Sequence, residues 1–533
     1  MQQSTGAEHP RFFSFESLAL IAPLCVVGAI IGTELITTLG ITTNTSLIGA
    51  LAGMALARVP LALLRRYKSI HVQNLAQSAI SAATFGAGNA LLLPVGIPFV
   101  LGRMDLVGPM LLGVFLAMLL DGYMLYRMFD SEVFPAEGAW PPGVAAAEAI
   151  RAGDEGGRKG LVLLGGIGVG ILGSIFAIPM SAFGVAFIGN IWALTMFGIG
   201  LLTRGYSSTL LPWLAPGGDL MKAYIPHGVM VGAGLVALIQ VVMLMLQRDS
   251  AKPASSRTGT SAEEVRRTIA FGSGAYVLIA VIIALLGGMI SEMSFGMLVL
   301  FIVYAAFAAL THELIVGLAA MHAGWFPAFA VALITLVIGM LIGFPAPALC
   351  LLVGFSAATG PAFADMGYDL KAGHMLRGYG TDPAFEREGR RQQLYAAMFA
   401  FVIAGIVVFI SYQGYFAANK VAPVDRVYVA TIKAGASWEV AQQLAIWAIP
   451  GAIVQFLGGP KRQLGVLFAT GLLLLNPTAG WAVLVGVALR TIWTRATSGA
   501  RQSDMEVFAA GAIAGDALYS FYDTMTRAFL ARK

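Results

Sequence analysis

Apolar runs long enough to cross a lipid bilayer recur along the whole chain, separated by short polar stretches. They fall at 15–38, 45–64, 71–101, 106–127, 161–180, 183–203, 223–247, 267–291, 293–311, 315–341, 345–364, 393–413, 437–457, 477–496 and 505–529. A helix needs about 20 apolar residues to span the hydrocarbon core. Two shorter runs, 207–217 and 463–475, predict broken or re-entrant helices. Alternating ten-residue segments, the mark of a membrane barrel, do not occur. The pattern predicts an all-α polytopic membrane protein with about 16 transmembrane helices, some broken or re-entrant.

Composition agrees and narrows the class. Of 533 residues, 58% are apolar and only 11% charged, against about 25% charged in soluble domains. The mean hydropathy is +0.80. The 64 glycines suit helices that approach closely in lipid. Cys25 and Cys350 both lie in apolar stretches and read as buried structural thiols, with no disulfide framework or metal motif. The net charge of +5 is modest, and the cations fall between the apolar runs. That suits loops against anionic lipid, not a nucleic-acid partner.

Loop charge gives a topology. The polar leader precedes a run too long for a signal-peptide core, so that run is read as the first spanning helix. The clusters Arg65/Arg66/Lys68, Arg151/Arg158/Lys159, Arg248/Lys252/Arg257/Arg266/Arg267 and Lys371/Arg377/Arg387/Arg390/Arg391 share one side if the N-terminus is cytoplasmic and 207–247 makes an even number of crossings or a re-entrant hairpin. Lys420/Arg426/Lys433 then falls outside. The chain divides into a leader 1–14, an N-terminal transmembrane half 15–247 with a cytoplasmic loop 128–160, a flexible cytoplasmic linker 248–266, and a C-terminal half 267–533 with a cytoplasmic loop 366–392.

Polar groups at membrane depth are costly, so each is a candidate for function. In "QNLAQSAISAATFGAGN", Asn74, Gln77, Ser78, Ser81 and Gly88 repeat at helical spacing and share one face. That face suits a polar solute or a peptide backbone, and equally suits hydrogen bonding between helices. Glu34 lies in the first run beside Thr37 and Thr38, with Asn44 beyond it. It reads as a carboxylate able to take up a proton, or as an interfacial group if the helix ends earlier. Asp121, near the end of its run with Tyr123 and Tyr126, reads as interfacial. "THELIVGLAAMH" sets His312 beside Glu313, with His322 further on. A zinc-protease helix needs a second His at position 316, which is Val. A proton relay, a substrate contact or a loop cap remains open there. Asp516 sits in "AAGAIAGDALYSFYD" and shares a face with Tyr519 and Asp523. His227 follows Pro226 at a helix start, where backbone N–H groups can meet an anion, and a simple N-terminal position explains it equally well.

Four passages, residues 134–157, "DMGYDLKAGHMLRGYG" with its downstream "RRQQ", "AAGAIAGDAL" and "NLAQSAISAA", together resemble the oligopeptide transporter family, which includes the yellow stripe-like metal-chelate transporters. "FPAEGAWPPGVAAAEAIRAGDEGG" (134–157) is similar to the family's FP-x-G-x-A-x-A-E segment before a cytosolic loop. "DMGYDLKAGHMLRGYG" followed by "RRQQ" is similar to its DLKTG and downstream QQ, and "AAGAIAGDAL" to its aaGLiaGE-x-L. "NLAQSAISAA" resembles its N-x-x-QT-x-x-SA helix. The order and gaps match over nearly the whole chain, in the pattern of the bacterial type. Three departures stand out: the inserted AEGAWP, the extra "TDPAFEREG" before Arg390, and Asp516 where the family has Glu.

The resemblance implies a proton-coupled secondary importer of small peptides, peptide-like compounds or metal chelates. It would work without a cofactor on the proton gradient, as a monomer or homodimer in the inner (plasma) membrane. In that reading Asn74, Gln77, Ser81, His312 and Glu313 contact substrate, and Glu34 or Asp516 takes the proton. Glu137, Glu148, Asp369 and Lys371 stand at the cytoplasmic mouth. Two alternatives stand beside it. An intramembrane aspartyl protease would pair Tyr368-Asp369 with Gly515-Asp516, yet residue 513 is Ile where a Gly is needed. A channel would show rings of like charge or a repeated filter, and neither is visible. No G-x-x-x-x-G-K-[ST] loop marks ATP drive.

Overall fold

The computed structural model describes residues 8–40, 69–153, 159–214, 219–247, 259–323, 328–435, 438–496 and 502–530. The expected span 45–64, Asn44, Arg65, Arg66, Lys68, Arg158 and most of the 248–266 linker lie outside them.

The described residues are a helical bundle whose elements follow the apolar runs. The first part holds α1 (Phe15–Thr38), α2 (Ile70–Phe85), a π-helical stretch (Gly86–Leu92), α3 (Leu93–Leu101) and α4 (Val107–Met128). After these come α5 (Pro141–Gly153), α6 (Lys159–Ile175), α7 (Met180–Ile188), α8 (Ile191–Gly205) and α9 (Ile225–Gln247). Beyond the linker lie α10 (Ala262–Leu286), α11 (Phe295–Ala323), α12 (Ala328–Ile342), α13 (Ala346–Ala358), α14 (Pro361–Leu376) and α15 (Pro383–Ala417). The chain ends with α16 (Pro423–Ala434), α17 (Trp438–Arg462), α18 (Leu464–Leu473), α19 (Pro477–Ala496) and α20 (Gln502–Leu530). Among the described residues, 8 helical segments are long and apolar enough to cross a membrane, and shorter apolar helices accompany them.

Local chemistry sets several boundaries. Ser14 caps α1, its side chain accepting from the Ser17 amide. Ser261 and Glu264 close a capping box on α10, so 262–266, expected as linker, are the first turn of that helix. Gly360 at φ +102 breaks α13 from α14, and Pro361 restarts the helix at its first position. Small residues set the closest packing. A Cβ on Gly166 or Gly170 of α6 would collide with the α20 backbone, as would one on Gly515 with α6.

Three expectations are corrected here. The run 183–203 is two helices, α7 and α8, split by Gly189–Asn190, whose Asn190 side chain caps α8. The expected boundary near residue 312 does not exist: α11 runs through it to Ala323, and His312 and Glu313 are buried in mid-helix. The expected loop 366–392 is instead the buried second half of α14, a turn at 377–382 and the start of α15. Asp369 and Lys371 therefore belong to a buried helix.

Candidate functional site

Polar side chains gather in three places along the bundle. The first joins α2 to α14. Gln77 donates to Asp369 Oδ1 at 2.5 Å, and Ser81 donates to Asp365 Oδ1 at 2.6 Å. Gln77 and Ser81 are four residues apart on α2, and Asp365 and Asp369 four apart on α14, so two antiparallel helices meet through matched turns. Asn74 donates to Gln77 Oε1 at 3.0 Å. Gln393 of α15 donates to Ser78 Oγ (3.0 Å) and to the Asp369 carbonyl (2.6 Å), and accepts from Arg377 (2.8 Å). Asn74, Gln77 and Ser81 are buried, and the last two reach α14 directly.

This layer continues into a buried ionic cluster. Arg377 meets Glu386 through Nε at 2.8 Å, with both side chains fully buried. Arg390 bridges Glu386 (2.7 Å) to Asp130 (2.9 Å). Lys371 donates to the Ala136 carbonyl at 2.8 Å, and Trp140 packs against Gly367 and Tyr368. The 134–140 stretch is thus folded into the bundle, with Phe134, Ala136 and Trp140 fully buried. Glu137 is half exposed and stands 3.5 Å from the ring of buried His374. Glu148 lies on the surface of α5, paired with Arg151 at 3.1 Å. The leader closes this end: the Phe12 amide donates to Gln392 at 2.7 Å, and His9 stacks near His71 and Phe385.

The second place is the far end of α1. Glu34 is buried and accepts from Tyr415 (2.9 Å) and Lys420 (3.3 Å). The helix continues past it to Thr38. Asp516 accepts from the Ser174 hydroxyl and from the Ser181 amide (2.6 Å), so it also caps the start of α7. Both carboxylates line one cavity of about 380 Å³ with Thr38, Lys420, Asn476 and Asp523. Asp369 and Asp516 thus sit in different clusters with different partners, which does not make a protease dyad.

The third place lies between α4, α10 and α11. Asp121, expected at an interface, is fully buried and accepts from Tyr276 (2.6 Å) and from the Gly360 amide (2.7 Å). Glu313 is buried beside them. His312, one residue earlier, turns its two ring nitrogens to the carbonyls of Thr359 (2.5 Å) and Ala328 (3.0 Å). It fastens the α13–α14 break to the start of α12. His227 lies in the first turn of α9, buried against the Tyr224 ring.

Sequence reading missed Asp365, Gln393, Tyr415, Lys420 and Tyr276 as partners. The four-residue spacing of Asp365 and Asp369, complementary to Gln77 and Ser81, was the available signal for one of these contacts. The contacts of Tyr276 with Asp121, of Gln393 with Ser78, and of Tyr415 and Lys420 with Glu34 join residues 155 to 386 positions apart and leave no local mark.

No curated protein matches the chain in a sequence comparison. The family described as OPT oligopeptide transporter protein matches over residues 13–212 and 162–525. With matches reaching from α1 into α20, this multi-pass membrane chain belongs to the oligopeptide transporter family.

Proposed function

We propose that the chain is a proton-coupled secondary transporter that imports small peptides, peptide-like compounds or metal chelates by alternating access. It uses the proton gradient and no cofactor, sits in the inner (plasma) membrane with its N-terminus in the cytosol, and carries out no catalysis. The observation that supports this best is the cavity shared by Glu34 and Asp516. Its volume of about 380 Å³ fits a small solute. Its lining of Glu34, Asp516 and Asp523 against Lys420 suits a peptide amine or a chelated cation. Two buried or nearly buried carboxylates there can exchange protons with the cavity as substrate enters and leaves.

In this reading the α2–α14 layer is the device that moves. Its Gln77–Asp369 and Ser81–Asp365 bonds hold one state, and a substrate that competes for the same amides and carboxylates would release it. Glu137 and Lys371 sit where the 134–140 segment closes that end. The test is uptake of labelled peptides and metal chelates by proteoliposomes under an imposed pH gradient. Uptake should follow the gradient and collapse with a protonophore. Glu34→Gln and Asp516→Asn should each abolish the pH dependence. Wild-type proton dependence in both variants would remove the coupling role.

A further inference from the structure

Asp121, Glu313 and Tyr276 meet in a fully buried site that the cavity of Glu34 and Asp516 does not include. Both oxygens of Asp121 are occupied by donors, Tyr276 on one and the Gly360 amide on the other. A carboxyl group that accepts on both oxygens is spoken for as the anion. Glu313 differs: it comes up to the same phenol and to Asp121, yet neither of its oxygens has a hydrogen-bond partner.

Among the described residues, the surroundings supply no cation. Helix α10 contributes Tyr276, and α11 contributes Glu313 and His312, whose ring is turned to the Thr359 and Ala328 carbonyls. From α13, Phe355 packs on the Tyr276 ring. From α15, Met398 and Phe401 close around Gly122, next to Asp121. The carboxylates of α14 are held by α2. A second charge buried beside Asp121 without a counter-ion is strongly unfavourable, so Glu313 needs something bound to it. A hard metal cation takes a cage of several oxygens, and here the donors already cover those of Asp121. A proton needs only one.

We propose that Glu313 and Asp121 form a proton-binding site bridged by Tyr276. The proton sits on Glu313, whose O–H donates to the Tyr276 oxygen while Tyr276 donates to the Asp121 anion. Release leaves two carboxylates around one phenol, and their repulsion acts on the Asp121–Gly360 contact. That contact anchors the first residue before α14, five positions ahead of Asp365, or about 7–8 Å along the helix. Loading of this site and the α2–α14 layer are thereby linked. The chemistry stands whether or not Glu34 and Asp516 couple transport; only its consequence rests on the transporter reading.

The test is infrared difference spectroscopy of the purified full-length protein across a pH titration in sodium-free buffer. A protonated-carboxyl band should disappear on alkalinisation, be absent in Glu313→Gln, and shift its midpoint in Tyr276→Phe and in Asp121→Asn. Glu34→Gln should leave it in place, which separates this site from the coupling cavity. A titration from which Glu313→Gln removes no carboxyl band, or a Glu313-dependent band that sodium removes at constant pH, would overturn the proposal. Thermal unfolding of each variant in the same buffer shows that the readout comes from folded protein.

Discussion

Gln77 and Asp369 are 292 positions apart in sequence and 2.5 Å apart in space, one amide donating to one buried carboxylate. Together with Ser81 and Asp365 they make a two-rung ladder between α2 and α14. Removing one partner leaves a buried polar group unmatched, at about 1–3 kcal/mol. Gln77→Leu should therefore lower the thermal midpoint of the purified protein, while Asp369→Asn, which still accepts, should cost less. A double-mutant cycle on Gln77 and Asp369 should give a coupling of about 0.5–3 kcal/mol. Strict additivity would show that the ladder holds nothing.

The Arg377–Glu386 pair predicts a larger loss. Both side chains are fully buried, so Glu386→Gln leaves a guanidinium short of its charge partner. Breaking such a pair by one partner costs about 3–5 kcal/mol. Glu148→Gln, on the exposed face of α5, should change stability by less than about 0.5 kcal/mol. Unfolding in detergent compares the two directly, and equal effects would contradict the burial argument.

The leader should respond to acid. Burial, with the positive charge of Arg377 adding to it, lowers the His9 pKa from 6.5 to about 4. The docked leader thus favours neutral His9, and the undocked leader binds the extra proton between those values. Docking is fully supported above pH 6.5 and weakens as pH falls toward about 4. Protease cleavage within the leader should rise over that window. His9→Phe, which keeps the ring contacts without the charge, should flatten the response.

Close backbone contact makes Gly88 sensitive to size. A Cβ there would stand 2.7 Å from the Gly32 carbonyl oxygen, too near for any side chain. Gly88→Ala should destabilise by about 1–3 kcal/mol through forced separation of α1 from the π-helical stretch. Gly108→Ala, with open space around its Cβ, serves as the control in the same melting experiment.

Much of the fold was legible because apolar runs bounded by capping or breaking residues are local signals. The runs at 15–38 and 477–496 coincide with α1 and α19. Reading failed where polar residues lie inside helices. "THEL" at 311–314 looked like a boundary in a long apolar stretch, yet His312 and Glu313 are buried in mid-helix. "DMGYDLKAGH" looked like a loop for the same reason, although every residue of α14 is buried. Hydropathy counts polarity and cannot tell whether a partner waits across the bundle. Glu34 shows the same limit: its position in a helix was visible, whereas Tyr415 and Lys420 were not.

The π-helical stretch Gly86–Leu92 lies between the part of the rod that carries Gln77 and Ser81 and the part that packs Gly96 against Asp425. A π turn holds one residue more than an α turn, and each residue of α-helix advances the direction of side chains by about 100°. Shortening this stretch by one residue would leave the first half in register and swing the second to another compass bearing. The wide turn works as a coupling between two shafts, letting each end of a single membrane-length rod be aimed on its own.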